Sequence, residues 1–335
     1  MAITVKDVQL ALDDMTNGRI VKGPGDWASG KNPYVTTKTS GIPGKVVTET
    51  PGLVWGDPEM VVRRIAVMTT LTESAIELAA ATGVNALVVH HTIADAANSG
   101  GVLLKYYLGA YNLACFELHE AFHGTHPGIP WLHGHKPYYV TTALRGEVGK
   151  VAYVGEALPG INTLGDMTSR LDRLLYVELD EGFLNGERTL RGCDEIDETS
   201  VAARARILVG DPETPIHKII HMFPHTGFNC DDLAYMKHEF PEADTLMATI
   251  SRVYPGHALI EAAKELNMSF VCGNSHAMEV FENGLPMAYA LRESLPGTDV
   301  VMFRERVTSI PLASFGSPEI RAYGEEIAAN YLHRK

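Results

Sequence analysis

The segment from Arg63 to His91 reads RRIAVMTTLTESAIELAAATGVNALVVHH and joins two short apolar runs through an amphipathic stretch. The runs RIAVM and ALVV are β-branched and aliphatic, which predicts buried strands. Thr72 stands at an N-cap position and Gly83 at the C-terminal end of the amphipathic stretch, which predicts a helix between the strands. Strand, helix and strand in this order form the βαβ unit of a parallel sheet.

The same alternation continues along the chain and predicts an α/β fold. A helix is expected over Val5 to Met15, and the Gly/Pro-rich stretch from Asn17 to Pro51 is expected to be loop with room for one strand. The polar, acidic stretch from Asp180 to Pro215 suits a connection between two lobes. The predicted division is therefore an N-terminal elaboration over residues 1–50, a first α/β lobe over 51–185 and a second over 186–335.

The charge and composition of the chain favour some classes of partner and location over others. A formal net charge of −13 disfavours nucleic acid as a partner, because phosphate binding needs clustered Lys and Arg. The four cysteines lie far apart without a CxxC pair, which favours a reducing compartment. A chain of 335 residues without a signal-like N-terminus or an apolar run of membrane length is expected to be a soluble cytoplasmic protein.

Potential metal ligands concentrate where predicted strands end. The strand ALVV ends directly on His90 and His91, and ligand sites in open α/β sheets lie beyond the carboxyl ends of the strands. The segment ELHEAFHGTHPGIPWLHGH, from Glu117 to His135, follows the next strand and holds five of the fourteen histidines. Imidazole together with carboxylate suits zinc, iron, manganese or cobalt.

Each of these residues also has a simpler interpretation. His90 and His91 alone fit metal binding and polar strand-end histidines equally well. His119 directly follows a strand, but the remaining four histidines of the 117–135 segment are expected to be solvated or to face a substrate, namely His123, His126, His133 and His135.

Two further positions complete the candidate set. In GNSHAMEVFENG, His276 and Glu279 are three apart, a spacing that puts both on one face of a helical turn. His225, after the strand IHKIIHMF, is a candidate for substrate binding or proton transfer, whereas His257 is expected to be a polar helix-start residue.

The order of these motifs resembles the Nif-three-like dinuclear metal-centre family, also described as GTP cyclohydrolase type-two-like. The resemblance runs from about Pro51 to Leu291. It rests on a shared order of short motifs: GLVWGDPE, TLTESAIELAAATG, VVHH, ACFELH, VGEALPG, HALIEAAKEL and GNSHAME.

The resemblance implies two α/β lobes with mixed or parallel sheets, two divalent metal ions in the cleft between them, and often a ring-shaped hexamer. The ligands that it implies are His90, His91, His119, His276 and Glu279. His119 stands where the family has aspartate, and Cys115 where it has histidine. The late His and Glu are three apart instead of four, so either His276 has shifted or Ser275 takes the slot; we favour His276, since a serine hydroxyl is a poor ligand for such metals.

A pair of zinc, iron or manganese ions is machinery for hydrolysis. The leading hypothesis is a metal-dependent hydrolase acting on a small polar or nucleotide-like substrate, with Glu120 or Glu117 orienting water and with His123, His126 and His225 as acid-base groups. The alternative is a non-catalytic metal-binding scaffold or regulator that acts through protein partners. A third hypothesis, an α/β protein with incidental histidines, predicts no metal.

Overall fold

The computed structural model of the chain describes residues 2–39, 46–91, 104–249 and 253–332. Its strands, in chain order, are β1 Thr36–Thr39, β2 Val46–Glu49, β3 Gly52–Trp55, β4 Arg64–Met68, β5 Ala86–Val89, β6 Ala114–Glu117, β7 His135–Thr141, β8 Ala152–Ala157, β9 Asp197–Glu198, β10 Arg206–Val209, β11 Lys218–Met222, β12 Thr245–Ala248, β13 Ser269–Cys272, β14 Asp299–Met302 and β15 Thr308–Ser309.

The α-helices of the described residues connect these strands. In chain order they are α1 Val5–Met15, α2 Pro24–Ser29, α3 Glu73–Ala81, α4 Leu104–Ala110, α5 Gly128–Leu132, α6 Leu164–Leu174, α7 Val177–Arg191, α8 Thr199–Ala202, α9 Cys230–Glu239, α10 Ala258–Glu265, α11 Leu285–Ser294 and α12 Pro318–Ile327. Short 3₁₀ or π turns lie at Leu144–Gly146, Pro224–Thr226, His276–Met278, Val280–Gly284, Leu312–Ser314 and Ala328–Leu332.

The predicted βαβ unit lies at the centre of a five-stranded sheet. Its strand order is β14-β4-β5-β6-β3, and every neighbouring pair is parallel except β3 with β6. All four residues of β5 are buried, because helices cover both faces of the sheet. Helices α1 and α11 pack on one face, and α3 and α4 pack on the other. Thr72 caps α3 as predicted, accepting a hydrogen bond from the backbone N–H of Ala75.

A second, six-stranded sheet has the order β10-β13-β12-β11-β8-β7. Its inner strands β11, β12 and β13 are parallel, and the remaining pairs are antiparallel. Helices α9 and α10 cover one face, and α6 with the start of α7 covers the other. The predicted fold class, α/β with mixed or parallel sheets, is confirmed.

The two sheets do not follow the predicted ranges 51–185 and 186–335. Strands β7 and β8, at residues 135–157, lie in the six-stranded sheet, and β14, at residues 299–302, lies in the five-stranded one. The acidic stretch expected to connect the lobes begins inside α7, which buries Val177, Asp180 and Leu184. Composition alone did not distinguish a polar helix from a linker.

The N-terminal stretch is more regular than predicted. It contains α2 and the strands β1 and β2, which pair antiparallel with Thr36 opposite Glu49. Residues 40–45 lie outside the described part of the chain. Among the residues that the structure describes, no helix has the length and apolar character needed to cross a membrane.

Gly273, directly after β13, packs closely against Thr249 and His133. A Cβ at this position would collide with the carbonyl oxygen of Thr249 and lie 3.1 Å from Nε2 of His133. We expect Gly273→Ala to lower the free energy of unfolding by about 1–3 kcal/mol, because neither neighbour has room to move. Urea unfolding measures the change. The control is Gly182→Ala in α7, where a methyl meets open space and is expected to stabilise the helix by up to about 1 kcal/mol.

Candidate metal centre

The carboxyl ends of both sets of parallel strands supply the candidate ligands. His90 and His91 follow β5, and His119 and Glu120 follow β6. From the other sheet, the chain leaves β13, passes His276 and Glu279 in two short turns, and enters α11, which packs on the five-stranded sheet. The chain itself thus carries the late His/Glu pair from one sheet to the other.

His91, His276 and Glu279 form a compact triangle. Nε2 of His91 lies 3.0 Å from Nε2 of His276 and 3.1 Å from Oε2 of Glu279. The remaining side, from His276 Nε2 to Glu279 Oε2, is 3.4 Å. Ligands about 2.1 Å from an ion lie about 3.0–3.4 Å apart in octahedral or tetrahedral geometry. The triangle therefore has the dimensions of one face of a metal coordination shell.

His90 completes this first donor group from the buried side. Its Nδ1 lies 3.0 Å from the backbone carbonyl oxygen of Leu118, and only a protonated nitrogen can donate to a carbonyl. The proton on Nδ1 leaves the lone pair on Nε2, which faces Glu279 Oε1 at 3.3 Å and the side-chain amide of Asn283 at 3.0 Å. A backbone carbonyl thus orients the imidazole in a form that can bind metal.

A second donor group lies around His119. Its Nδ1 is 3.4 Å from Glu49 Oε2 and 3.7 Å from Glu120 Oε1, and Nδ1 of His123 lies 3.2 Å from Glu120 Oε2. Two overlapping sets here have donor atoms within 4.8 Å of one another, His90 with His119 and His123, and Glu49 with His119 and Glu120. Together with the first group, these donors form a continuous cluster.

Burial gives the cluster the ionisation states that metal ligands need. Burial lowers the pKa of His90, and it lowers that of His119 well below the ordinary value, so both imidazoles are neutral near pH 7. Burial alone would raise the pKa of Glu279. The interactions of Glu279 with His91 and His90 outweigh this effect, and the pKa of Glu279 lies well below its usual range.

Several carboxylates of the cluster are buried. Glu49, Glu117, Glu120 and Glu279 are each at most 3% exposed. Buried charges in proteins are normally paired or bound to metal. The donor types and their spacing fit divalent cations.

The predicted site residues are placed as follows. His90, His91, His276 and Glu279 come together, and His119, Glu120 and His123 lie beside them. The side chain of His225 lies outside the described part of the structure; its backbone belongs to the 3₁₀ turn Pro224–Thr226. Ser275, the alternative to His276, is buried, and its hydroxyl has no hydrogen-bond partner among the described residues.

The prediction of solvated loop histidines was wrong for most of the 117–135 segment. His123, His133 and His135 are fully buried, since the loop folds in between the sheets. His257 has its expected role, and its Nδ1 accepts a hydrogen bond from the backbone N–H of Leu259. Sequence reasoning missed Glu49, which lies in the stretch interpreted as loop, and Asn283, whose amide touches both His90 and Glu279.

His133, His135 and His221 form a separate buried group. His135 Nε2 lies 2.8 Å from His221 Nδ1, and His221 Nε2 lies 2.7 Å from the hydroxyl of Thr249. His133 Nε2 faces Oε1 of Glu282 at 3.4 Å. Burial lowers the pKa of His133 to about 4, and burial with the nearby His133 lowers that of His135 to about 3. These imidazoles are neutral parts of the interior.

The fold and the donor groups define a class, an α/β protein with a candidate metal centre between two sheets. No family model matches the sequence, and no curated protein matches it. Solved structures do match the fold. A Bacillus cereus protein related to NIF3 has a TM-score of 0.56 at 12% identity, covering 91% of this chain and 97% of that one.

Two further structures agree with this similarity. Reduced HcgD from Methanocaldococcus jannaschii has a TM-score of 0.55 at 14% identity, covering 90% of this chain and 98% of its own. The Staphylococcus aureus hypothetical protein SA1388 has a TM-score of 0.53 at 13% identity, covering 90% and 97%. The chain therefore has a NIF3-like fold. The resemblance to that family is confirmed at the level of the fold.

The buried histidines make stability depend on pH. Unfolding returns His133 and His135 to a pKa near 6.5, so the unfolded chain binds protons that the folded chain does not. We expect the free energy of unfolding to fall as pH drops from 6.5 towards 4, by about 1.4 kcal/mol per pH unit for each imidazole. Urea unfolding in chelator across this range measures the slope. His135→Asn should reduce it, and a slope identical to that of the parent would contradict the assignment.

Proposed function

We propose that the protein is a dinuclear metal-dependent hydrolase. The observation that carries the proposal is the triangle of His91, His276 and Glu279, whose donor atoms lie 3.0–3.4 Å apart. These three residues and His90 are the proposed ligands of one ion, at the first metal position. His119 is the central ligand of the second metal position. Divalent cations such as zinc, iron or manganese, when bound, supply Lewis-acid activation of water and stabilise negative charge on the substrate.

The exposure of the ligands supports one direction of substrate approach. The side chains of His91 and His276 are 14% and 27% exposed, whereas those of His90, Glu49 and Glu120 are at most 3% exposed. A substrate therefore reaches the cluster past His91 and His276. A small polar or nucleotide-like substrate follows the resemblance to the GTP cyclohydrolase type-two-like description.

The Glu120–His123 pair supports a role in proton transfer. Glu120 Oε2 lies 3.2 Å from His123 Nδ1 and accepts a hydrogen bond from the N–H at that position, which leaves the basic lone pair on Nε2. An imidazole in this form, oriented by a carboxylate, can take a proton from the attacking water and return it to the leaving group. Glu120 thus positions His123, and His123 is the acid-base group. For His225 we keep the role predicted from the sequence.

We also propose an oligomeric state, a class of partner and a location for the protein. Homo-oligomers, including a ring hexamer, follow the resemblance. The net charge of −13 supports a protein without a nucleic-acid partner, and the widely spaced cysteines support a cytoplasmic one.

A second candidate function is a metal-binding scaffold that engages protein partners without turnover. The observation that favours it is α12, which buries none of its residues and leaves Ile320 and Tyr323 more than half exposed. Metal binding without metal-dependent hydrolysis of any small substrate would favour this function over the hydrolase.

Substitution of His91, one of the three residues of the triangle, tests the metal centre. We expect His91→Ala to weaken metal binding at the first position and to lower hydrolytic activity, because only His90, His276 and Glu279 would remain to hold the ion. Elemental analysis of the purified protein and assays on GTP and phosphodiesters provide the two measurements. The matched control is His238→Ala, whose side chain is 83% exposed on α9. Full metal content in His91→Ala would remove this histidine from the ligand set.

A second test separates proton transfer from metal binding. We expect His123→Asn to lower kcat by about 10²–10⁴-fold while metal content stays at the parent level. Glu120→Gln should lower kcat too, and the double variant should be little worse than His123→Asn, because the two residues act as one unit. Loss of metal from His123→Asn would instead make His123 a ligand.

A further inference from the structure

We propose that Glu49 is a ligand of the second metal position, so that the N-terminal hairpin of β1 and β2 closes the metal centre. The inference rests on the proposed dinuclear function and adds to it. The motifs that carry the family resemblance begin at about Pro51. Glu49 therefore belongs to the chain's own N-terminal elaboration.

The geometry places the Glu49 carboxylate at the metal cluster. Its Oε2 lies 3.4 Å from Nδ1 of His119, and Oε1 of Glu120 lies 3.7 Å from the same nitrogen. The three residues form a set whose donor atoms are all within 4.8 Å of one another, and all three are buried. One imidazole and two carboxylates, converging from two segments of the chain that lie far apart in sequence, can hold one divalent cation.

Hydrogen bonds on both sides of Glu49 hold it in this place. The hydroxyl of Thr36, directly opposite on β1, donates to Glu49 Oε2 at 3.2 Å. One residue further on, the backbone N–H of Thr50 donates to Glu117 Oε1 at 2.9 Å, which fixes the end of β2 to the end of β6. The carboxylate is thus held by a neighbouring strand and anchored to the sheet that carries His119. Partners of this kind orient metal ligands.

The second position then differs in chemistry from the first. His90, His91, His276 and Glu279 supply three nitrogens and one oxygen, whereas His119, Glu49 and Glu120 supply one nitrogen and carboxylate oxygens. Carboxylate oxygen favours harder ions such as manganese, and imidazole favours zinc or iron. We expect the second position to take manganese more readily than the first. Glu120 can serve here through Oε1 while its Oε2 orients His123.

The test is metal binding by Glu49→Gln, a change that keeps the size of the side chain and removes its charge. We expect the variant to keep the ion of the first position and to lose the second, with manganese binding reduced by at least about 10–100-fold. Elemental analysis and calorimetric titration of the metal-free full chain with manganese measure both. The matched control is Glu59→Gln, a neighbouring glutamate that is exposed to solvent.

A milder variant keeps the inference testable if Glu49→Gln does not fold. Thr36→Val removes only the hydroxyl that holds Glu49, and we expect it to weaken manganese binding at the second position while the first keeps its ion. Unchanged manganese affinity in a folded Glu49→Gln protein would overturn the inference and leave the dinuclear hydrolase standing. A parent protein that binds no metal would instead overturn the proposed function.

Discussion

The buried contact of Glu279 with the imidazoles of His90 and His91 is the interaction on which the rest of the site depends. It joins a segment that leaves the six-stranded sheet to two residues at the end of a strand of the five-stranded one. An unpaired carboxylate in the interior costs several kcal/mol, so Glu279 remains charged only beside compensating groups. His90 and His91 supply such contacts. A divalent cation held by the same three residues would balance the charge of the carboxylate as well.

The path of the chain explains why this contact can form. Parallel strands direct their carboxyl ends to one edge of a sheet, and both sheets present that edge to the region between them. Two short turns, His276–Met278 and Val280–Gly284, lead directly into α11. Packing is tight at Gly284, where a Cβ would lie 3.1 Å from a methyl group of Val280 and 3.2 Å from the methyl group of Met302. Tight packing thus sets the position of the Glu279 carboxylate.

The sequence was sufficient to predict the elements whose signal is local. The βαβ unit, the Thr72 cap and the strand-end position of His90 and His91 follow from apolar periodicity and capping chemistry over fewer than thirty residues. Other features depend on contacts between distant segments. Glu49 reaches the site only through strand pairing with Thr36, and His135 is buried only because β7 joins the sheet of β11. Neither contact leaves a local pattern, since polar loop composition looks the same whether the loop folds inward or outward.

The two donor groups differ in their exposure to solvent, which suggests a different role for each. The first group reaches solvent through His91 and His276, so an ion there can meet a substrate. The second lies behind it, enclosed by Glu49, Glu120 and His119, and an ion in that position can act on a substrate only through the first group or through His123. Because Glu49 belongs to the N-terminal hairpin, an ion enclosed there would also tie that hairpin to the five-stranded sheet. In the proposed function, the enclosed ion would stabilise the structure and the accessible ion would carry the chemistry.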